Sequence, residues 1–352
     1  HTERFISTGN MVDTGAGVFP VYENPRLTGD NPSATFLADR QNNNAWAVFG
    51  DATFEITSQV ELDTAIRYDE DSRNNTTDTP TAFLPDPSAF TGEVRKHTWS
   101  ESQPKVTLRY KPADDVTVYG GWSRGFRSGG FNQTGVGSVA RANNILGVND
   151  LFNAEVADTY EVGVKEQFLD RRVSAELSGF YTKSRNGYFF VFLAANSTQN
   201  LGNLNATYKG AEFEVTARAT EHLDLFGNFG YTRSRITAMA DPKVIGNEAP
   251  LVSRTTANLG VQYRQPVANE LNAVLRVDYQ EIGRTWWDPY NVTSRDPLNL
   301  VDARLGVEAD RWSVTAWSKN LTDKKYNTEF SPGGFLWKAL PRRYGVDLTY
   351  RF

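Results

Sequence analysis

The chain has 352 residues, with 37 Lys+Arg against 42 Asp+Glu, three His, no Cys and a formal charge of −5. Zero Cys excludes disulfides, thiol nucleophiles and Cys-based metal centres, and a mild acidic balance argues against nucleic acid, which asks for a basic face. Mean hydropathy is −0.50 although 12 % of the residues are aromatic, a mixture that suits a wall apolar on one side only.

The sequence opens at His1 with neither a basic n-region nor an apolar h-region, so any export signal is expected to be removed or to lie elsewhere. The longest apolar run, Tyr188–Ala195, is far short of the ~18 residues of a membrane helix. A β-barrel needs no such run. Its strands satisfy one another's backbone and hide apolar side chains at every second residue.

Residues 1–44 read as an external loop segment that holds the end of a preceding strand at Arg4–Ser7. Asn10, Gly15, Gly17, Pro20 and Pro25 make the rest of it a poor strand. From 45 onward period-two alternation dominates, and strands are predicted near 45–57, 60–73, 97–112, 116–129, 156–169, 171–192 and 204–219. Further strands follow near 223–236, 254–267, 271–284, 298–310, 311–323 and 343–352. In 212–218, Phe213, Val215 and Ala217 alternate with Glu212, Glu214, Thr216 and Arg218. In the last strand, Tyr344, Val346, Leu348, Tyr350 and Phe352 alternate with Gly345, Asp347, Thr349 and Arg351.

Connections are of two kinds. Tight turns at Ser58-Gln59, Ala113–Asp115, Asp170, Thr220–His222, Ala268–Glu270 and Asp310-Arg311 alternate with long polar stretches at 74–96, 130–155, 193–203, 237–253, 285–297 and 324–342. Short periplasmic turns and long extracellular loops are the rule of outer-membrane barrels. The expectation is an all-β, antiparallel transmembrane barrel, with the C-terminus periplasmic and the long loops extracellular. About thirteen or fourteen strands make it a partial barrel, and no domain boundary is visible within 45–352.

Four stretches then resemble the TonB-dependent outer-membrane receptors. They are Tyr119-Gly-Gly-Trp-Ser-Arg-Gly-Phe-Arg-Ser-Gly-Gly-Phe-Asn132, Asn153-Ala-Glu-Val-Ala-Asp-Thr-Tyr-Glu-Val-Gly-Val-Lys165, Tyr208-Lys-Gly-Ala-Glu-Phe-Glu214 and Ser318-Lys-Asn-Leu-Thr-Asp-Lys-Lys-Tyr326. The terminal Tyr344-Gly-Val-Asp-Leu-Thr-Tyr-Arg-Phe352 is similar to their closing strand. The resemblance implies a barrel of about 22 strands around an N-terminal plug. It also implies a receptor that imports a scarce nutrient, a ferric siderophore most often, with energy from the TonB complex. Plug, TonB-contacting box and early strands have no counterpart in these residues, so the chain is expected to be the C-terminal part of such a barrel. Implied partners are outer-membrane lipid, the plug, the TonB complex and the barrel-assembly machinery. Tyr344, Gly345, Leu348, Tyr350 and Phe352 would carry the signal that this machinery reads.

Candidate ligand contacts follow from residue chemistry. Arg124 and Arg127 have opposite parity, so one of them faces the lumen with a bidentate fork for an anionic ligand, and Asn132 follows in the same stretch. Trp286, Trp287, Tyr290 and Trp337 are loop aromatics that could stack on a planar ligand or belong to the interfacial girdle. Tyr188, Phe189, Phe190 and Phe192 read as a membrane-interface run. Asp69, Glu70, Asp71 and Asp78 lack the order of a calcium loop, and Gly15-Ala16-Gly17 lacks the third Gly of a nucleotide loop. Neither metal nor cofactor is expected, and no nucleophile elbow or paired His suggests an enzyme. Two other readings stand beside the receptor. A complete 14-stranded passive channel needs a first strand within 1–30, and a soluble all-β module needs its apolar parity buried between two sheets.

Overall fold

The computed structural model describes residues 2–9, 11–13, 18–20, 36–81, 84, 86–193, 198–331 and 335–352. Fourteen strands form one sheet. In chain order they are β1 Thr2–Gly9, β2 Phe36–Glu55, β3 Val60–Thr77, β4 Val94–Ala113 and β5 Val116–Arg127. Next come β6 Glu155–Phe168, β7 Val173–Leu193, β8 Thr198–Arg218, β9 Leu223–Ala238 and β10 Thr255–Ala268. The last four are β11 Leu271–Ile282, β12 Leu298–Glu308, β13 Trp312–Lys319 and β14 Arg343–Tyr350.

Each strand pairs antiparallel with the next, and β1 and β14 are the two edges. Because the edges do not pair, the sheet is a section of barrel wall and not a closed 14-stranded channel, even though β1 supplies a first strand. Residues 1, 10, 14–17 and 21–35 of the expected 1–44 loop lie outside the described residues. The rest of that segment differs from the expectation, since β1 pairs with Phe36–Asn43 and β2 begins well before 45. Its Asp39, Arg40, Gln41, Asn42 and Asn43 carry no apolar alternation, so no strand signal is present there.

The two faces of the wall differ in chemistry. Leu259, Leu275, Leu305 and Val346 stand exposed on one face, with Leu275 directly opposite Leu305. Rows of exposed apolar side chains on a sheet are the mark of a lipid-facing band. On β9 this band runs from Leu223 to Tyr231, roughly 27 Å along a strand at about 3.4 Å per residue. With a tilt near 40° that is about 20 Å of membrane thickness. The opposite face carries ion pairs. Arg109 bridges Glu61 and Asp63, Lys165 meets Glu176 at 2.9 Å, and Arg276 meets Asp278 at 2.8 Å.

Packing is concentrated at the long-connection end. Among the described residues, the buried hydrophobics such as Phe189, Leu193, Leu204, Ile236 and Val244 all lie there. A bulge between Ser184 and Gly187, with Asn186 at φ 56°, shifts the register of β7 on β8. Above it Phe189 and Leu193 turn to the polar side, where folded-in loops cover them. The predicted membrane-interface run is therefore corrected. Phe189 is 3 % exposed in a loop core, and Phe192 meets the ring of Phe335 edge-on at 6.4 Å. Phe190 alone of the run remains an exposed large hydrophobic.

Candidate functional site

The long connection between β5 and β6 folds back onto the wall. Its ends form a two-stranded ribbon, Gly130–Phe131 with Leu151–Phe152, and its middle forms helix α1, Val136–Ala142. Val136 and Ala140 pack on Val148 and Leu193. The Asp150 carboxylate accepts the Gly135 and Gly137 N–H groups, both at 2.7 Å, and so satisfies backbone donors that the first turn leaves free. Gly129 is required at the loop's entry, because a Cβ there would lie 2.5 Å from Trp99 Nε1.

Arg95, on the polar face of β4, holds this loop down. Its guanidinium donates to the backbone carbonyls of Asn132 (3.1 Å) and Asp150 (3.2 Å), pairs with Asp39 at 3.4 Å and lies 5.1 Å from the centre of Phe131. Asp39 in turn accepts the Thr134 N–H at 2.9 Å. A buried carboxylate, a half-buried cation and two backbone segments thus pair with one another, which offsets the cost of drawing charge away from water.

A second pair of loops zips together beside it. Asn247 donates to Pro289 O at 3.0 Å, Asn291 donates to Glu248 O at 3.0 Å, and the Glu248 N–H returns to Asn291 at 2.9 Å. Trp286 donates its indole N–H to Glu248 at 3.0 Å, and the Tyr290 hydroxyl donates to Asp241 at 2.8 Å. Burial, together with that neighbouring carboxylate, pushes the Tyr290 hydroxyl up to about 12. Asp241 is lowered, first by the Lys243 backbone N–H and then by Tyr290.

The predicted site residues separate in this frame. Arg124 shares parity with Val116 and Val118 on the apolar face, where Asp158 (2.8 Å) and Glu101 (3.2 Å) hold it. Arg127 has the opposite parity and is the Arg on the polar face. It pairs with Glu155, lies 3.9 Å from the centre of Tyr188 and keeps 57 % of its side chain exposed. Asn132 is 8 % exposed, and its amide is spent on Asn149 O, Leu201 O and Leu201 N–H. As a ligand contact it is corrected to a loop lock. Trp287 lies under Arg295 at 5.7 Å, and Trp337 is 62 % exposed beside Phe335. No hydrogen bond, ion pair or ring contact joins Arg127 to Trp286, Trp287, Tyr290 or Trp337 among the described residues.

Tyr344, Leu348 and Tyr350 project from the edge strand β14, and Phe352 packs on Tyr350 at 5.2 Å. Gly345 lies under Trp317, whose ring would come within 2.7 Å of a Cβ there. Gly15-Ala16-Gly17 lies outside the described residues. Arg95 and Asp39 are the residues that sequence reasoning missed. Their partners lie 37 to 95 positions away, and no local pattern marks them.

Below the loops, the polar face holds a groove of 630 Å³ lined by Arg109, Lys111, Thr117, Tyr119, Glu161 and Glu176. Tyr119 donates to Glu161 at 2.8 Å, on a strand adjacent to its own. Cations and carboxylates alternate along this wall, so it offers many small polar contacts and no single charged socket.

Comparison with known proteins adds an independent line. The family model described as TonB dependent receptor-like, beta-barrel matches residues 7–321. A protein of Acinetobacter baumannii described as a probable TonB-dependent siderophore receptor, PiuA, is 24 % identical over 321 residues, covering 85 % of this chain and 39 % of that protein. The crystal structure of the ferric yersiniabactin uptake receptor FyuA from Yersinia pestis superposes with a TM-score of 0.71 at 19 % identity, over 90 % of this chain and 47 % of that one. The A. baumannii PiuA structure gives 0.71 at 16 % identity, over 99 % and 53 %. A copper transporter, OprC, gives 0.66 at 13 % identity over 90 % and 48 %, so the shared fold does not fix a cargo. The chain spans about half the length of the proteins it matches, or less.

Proposed function

The chain belongs to the TonB-dependent receptor β-barrel family, and from that membership we propose that it is the C-terminal part of a receptor barrel that captures a ferric siderophore and imports it with energy from TonB. A plug and the remaining strands, supplied by a segment beyond 1–352, complete the barrel. The long loops face outward and the C-terminus faces the periplasm. The observation that carries the reading is the open 14-stranded sheet with one lipid-type face and one ion-paired face. A wall of that kind needs further strands on both edges and a polar filling.

Capture falls to the loop end. Arg127 over Tyr188, Arg284 over Trp286 and Arg295 over Trp287 set cations against rings along the inner rim. Anionic, aromatic iron chelates suit such pairs, because a guanidinium holds the anionic oxygens while a ring stacks on the planar part. The docked 128–155 loop and the zipped loops give that rim a rigid base. The ion-paired wall below grips the plug, and binding is passive until the partner complex pulls. The terminal segment, β14 and the residues after it to Phe352, serves as the assembly signal.

The test is direct binding of ferric siderophores to the complete receptor, read by quenching of Trp fluorescence, beside haem, cobalamin and a glycan. Preference for one class of ferric chelate, weakened about tenfold by Arg127→Gln, is the expected outcome. Equal indifference to all ferric chelates would remove the siderophore assignment.

A further inference from the structure

The apolar face carries an unneutralised basic patch at the long-connection end. Lys183, Lys209, Arg233 and Arg235 lie on three adjacent strands, all exposed, with the same parity as Leu177, Phe213 and Phe229 on the lipid-facing side. Register places Lys209 directly opposite Arg233, while Thr207 stands between Lys183 and Arg235. None of the four has an ion pair or hydrogen bond among the described residues. Asp158, opposite Lys183, is already held by Arg124 at 2.8 and 3.1 Å.

Two cations directly opposite each other across a strand pair destabilise it unless an anion lies between them. The rest of the same rim shows no such excess. There Glu70 takes the indole N–H of Trp46 at 3.2 Å, and Glu281 accepts from Thr255 at 3.2 Å. The basic residues therefore form a localised site and not a uniform belt. Immediately below them stand Tyr181 and Tyr231, then Leu177 and Phe229, all exposed. That stack is polar head above apolar tail.

We propose that Lys183, Lys209, Arg233 and Arg235 bind the phosphates of a multiply phosphorylated lipid of the outer leaflet, with its acyl chains along the band below. The three strands spread the cations over about 10 Å, more than one phosphate fills. Their border on exposed apolar surface gives a tethered phosphate an advantage that a free ion does not share. The proposal rests on the outward orientation of the long loops given above.

The test uses the complete protein in nanodiscs of zwitterionic lipid, with retained lipid read by native mass spectrometry. The probes are a bisphosphorylated diglucosamine lipid, its dephosphorylated form, phosphatidylglycerol and inorganic phosphate as competitor. Retention of the bisphosphorylated lipid should fall about tenfold in the K209Q/R233Q variant, and Lys209→Arg with Arg233→Lys should restore it. A heat-dependent mobility shift checks that each variant is folded. Equal retention of the dephosphorylated form or of phosphatidylglycerol, displacement by inorganic phosphate, or unchanged retention in K209Q/R233Q would overturn the site. Orientation is read separately. The chain has no Cys, so Val292→Cys, 78 % exposed on a long loop, reports through an impermeant maleimide on intact cells. Absence of labelling defeats the orientation, whereas labelling without lipid retention defeats the lipid site alone.

Discussion

Replacing Arg95 by Met should release the 128–155 loop while leaving the wall intact. The change removes the partner of Asp39, whose side chain is 2 % exposed, and two donors to backbone carbonyls. Breaking a buried ion pair costs about 3–5 kcal/mol, mostly as an orphaned charge. Asp39 keeps the Thr134 N–H, so the lower end of that range applies. About 3 kcal/mol of local opening energy corresponds to roughly a hundredfold faster exchange of the loop's amides. Hydrogen exchange at Gly135 and Gly137, whose N–H groups Asp150 holds, reads this directly. Adding Asp39→Asn removes the orphaned charge, so the double variant should cost less than the sum of the singles by about 1–3 kcal/mol. Exchange within about threefold of wild type, or loss of protection spread over all strands, would refute the idea that Arg95 is a local clamp.

Other outcomes follow from single contacts. Phe352→Ala should lower the amount of folded protein in the outer membrane, and unchanged surface levels on a heat-shift gel would sink the assembly role. A Cβ on Gly210 would lie 1.9 Å from Tyr231 O, so Gly210→Ala should destabilise the β8–β9 pairing by about 1–3 kcal/mol, seen as a lower temperature for the gel shift. Hydrogen bonds from Ser138 and Ser88 hold Asp86 at about 2. A carboxylate lowered in the folded state contributes its stability above its ordinary value and loses it as pH falls through about 2. The Asp86–Ser138 contact (2.6 Å) between two loops should therefore persist from neutral pH to mild acid and open only near that value. A spin-label distance between Phe90→Cys and Ala142→Cys would follow it, and opening in mild acid would contradict the assignment.

The wall was legible because lipid enforces period two. Phe213, Leu259, Leu275 and Leu305 had to alternate with polar neighbours, and the tight turns between them could be placed from 45 onward. Legibility ends where lipid ends. At Asp39–Asn44 both faces of β2 are polar, so nothing announced a strand. At Ser184–Gly187 an extra residue reverses parity, and Phe189 passed for membrane surface when it is loop core. Arg124 and Arg127 could be seen to face opposite ways, but which of them faced inward required the register with Asp158 and Glu155. The Arg95 clamp joins residues whose separation no local pattern spans.

The bulge in β7 divides one strand into two frames of reading. Below it, odd positions such as Leu177 and Tyr181 answer to lipid; above it, odd positions such as Phe189 and Leu193 answer to the loops. A substitution in the upper frame therefore leaves the membrane band untouched. Deleting Asn186 would make the register continuous while leaving Phe189 opposite Gly202 and Leu193 opposite Thr198, so the loop core would keep its facing. One residue in a left-handed turn thereby divides a single strand between two surroundings, lipid below and folded loops above.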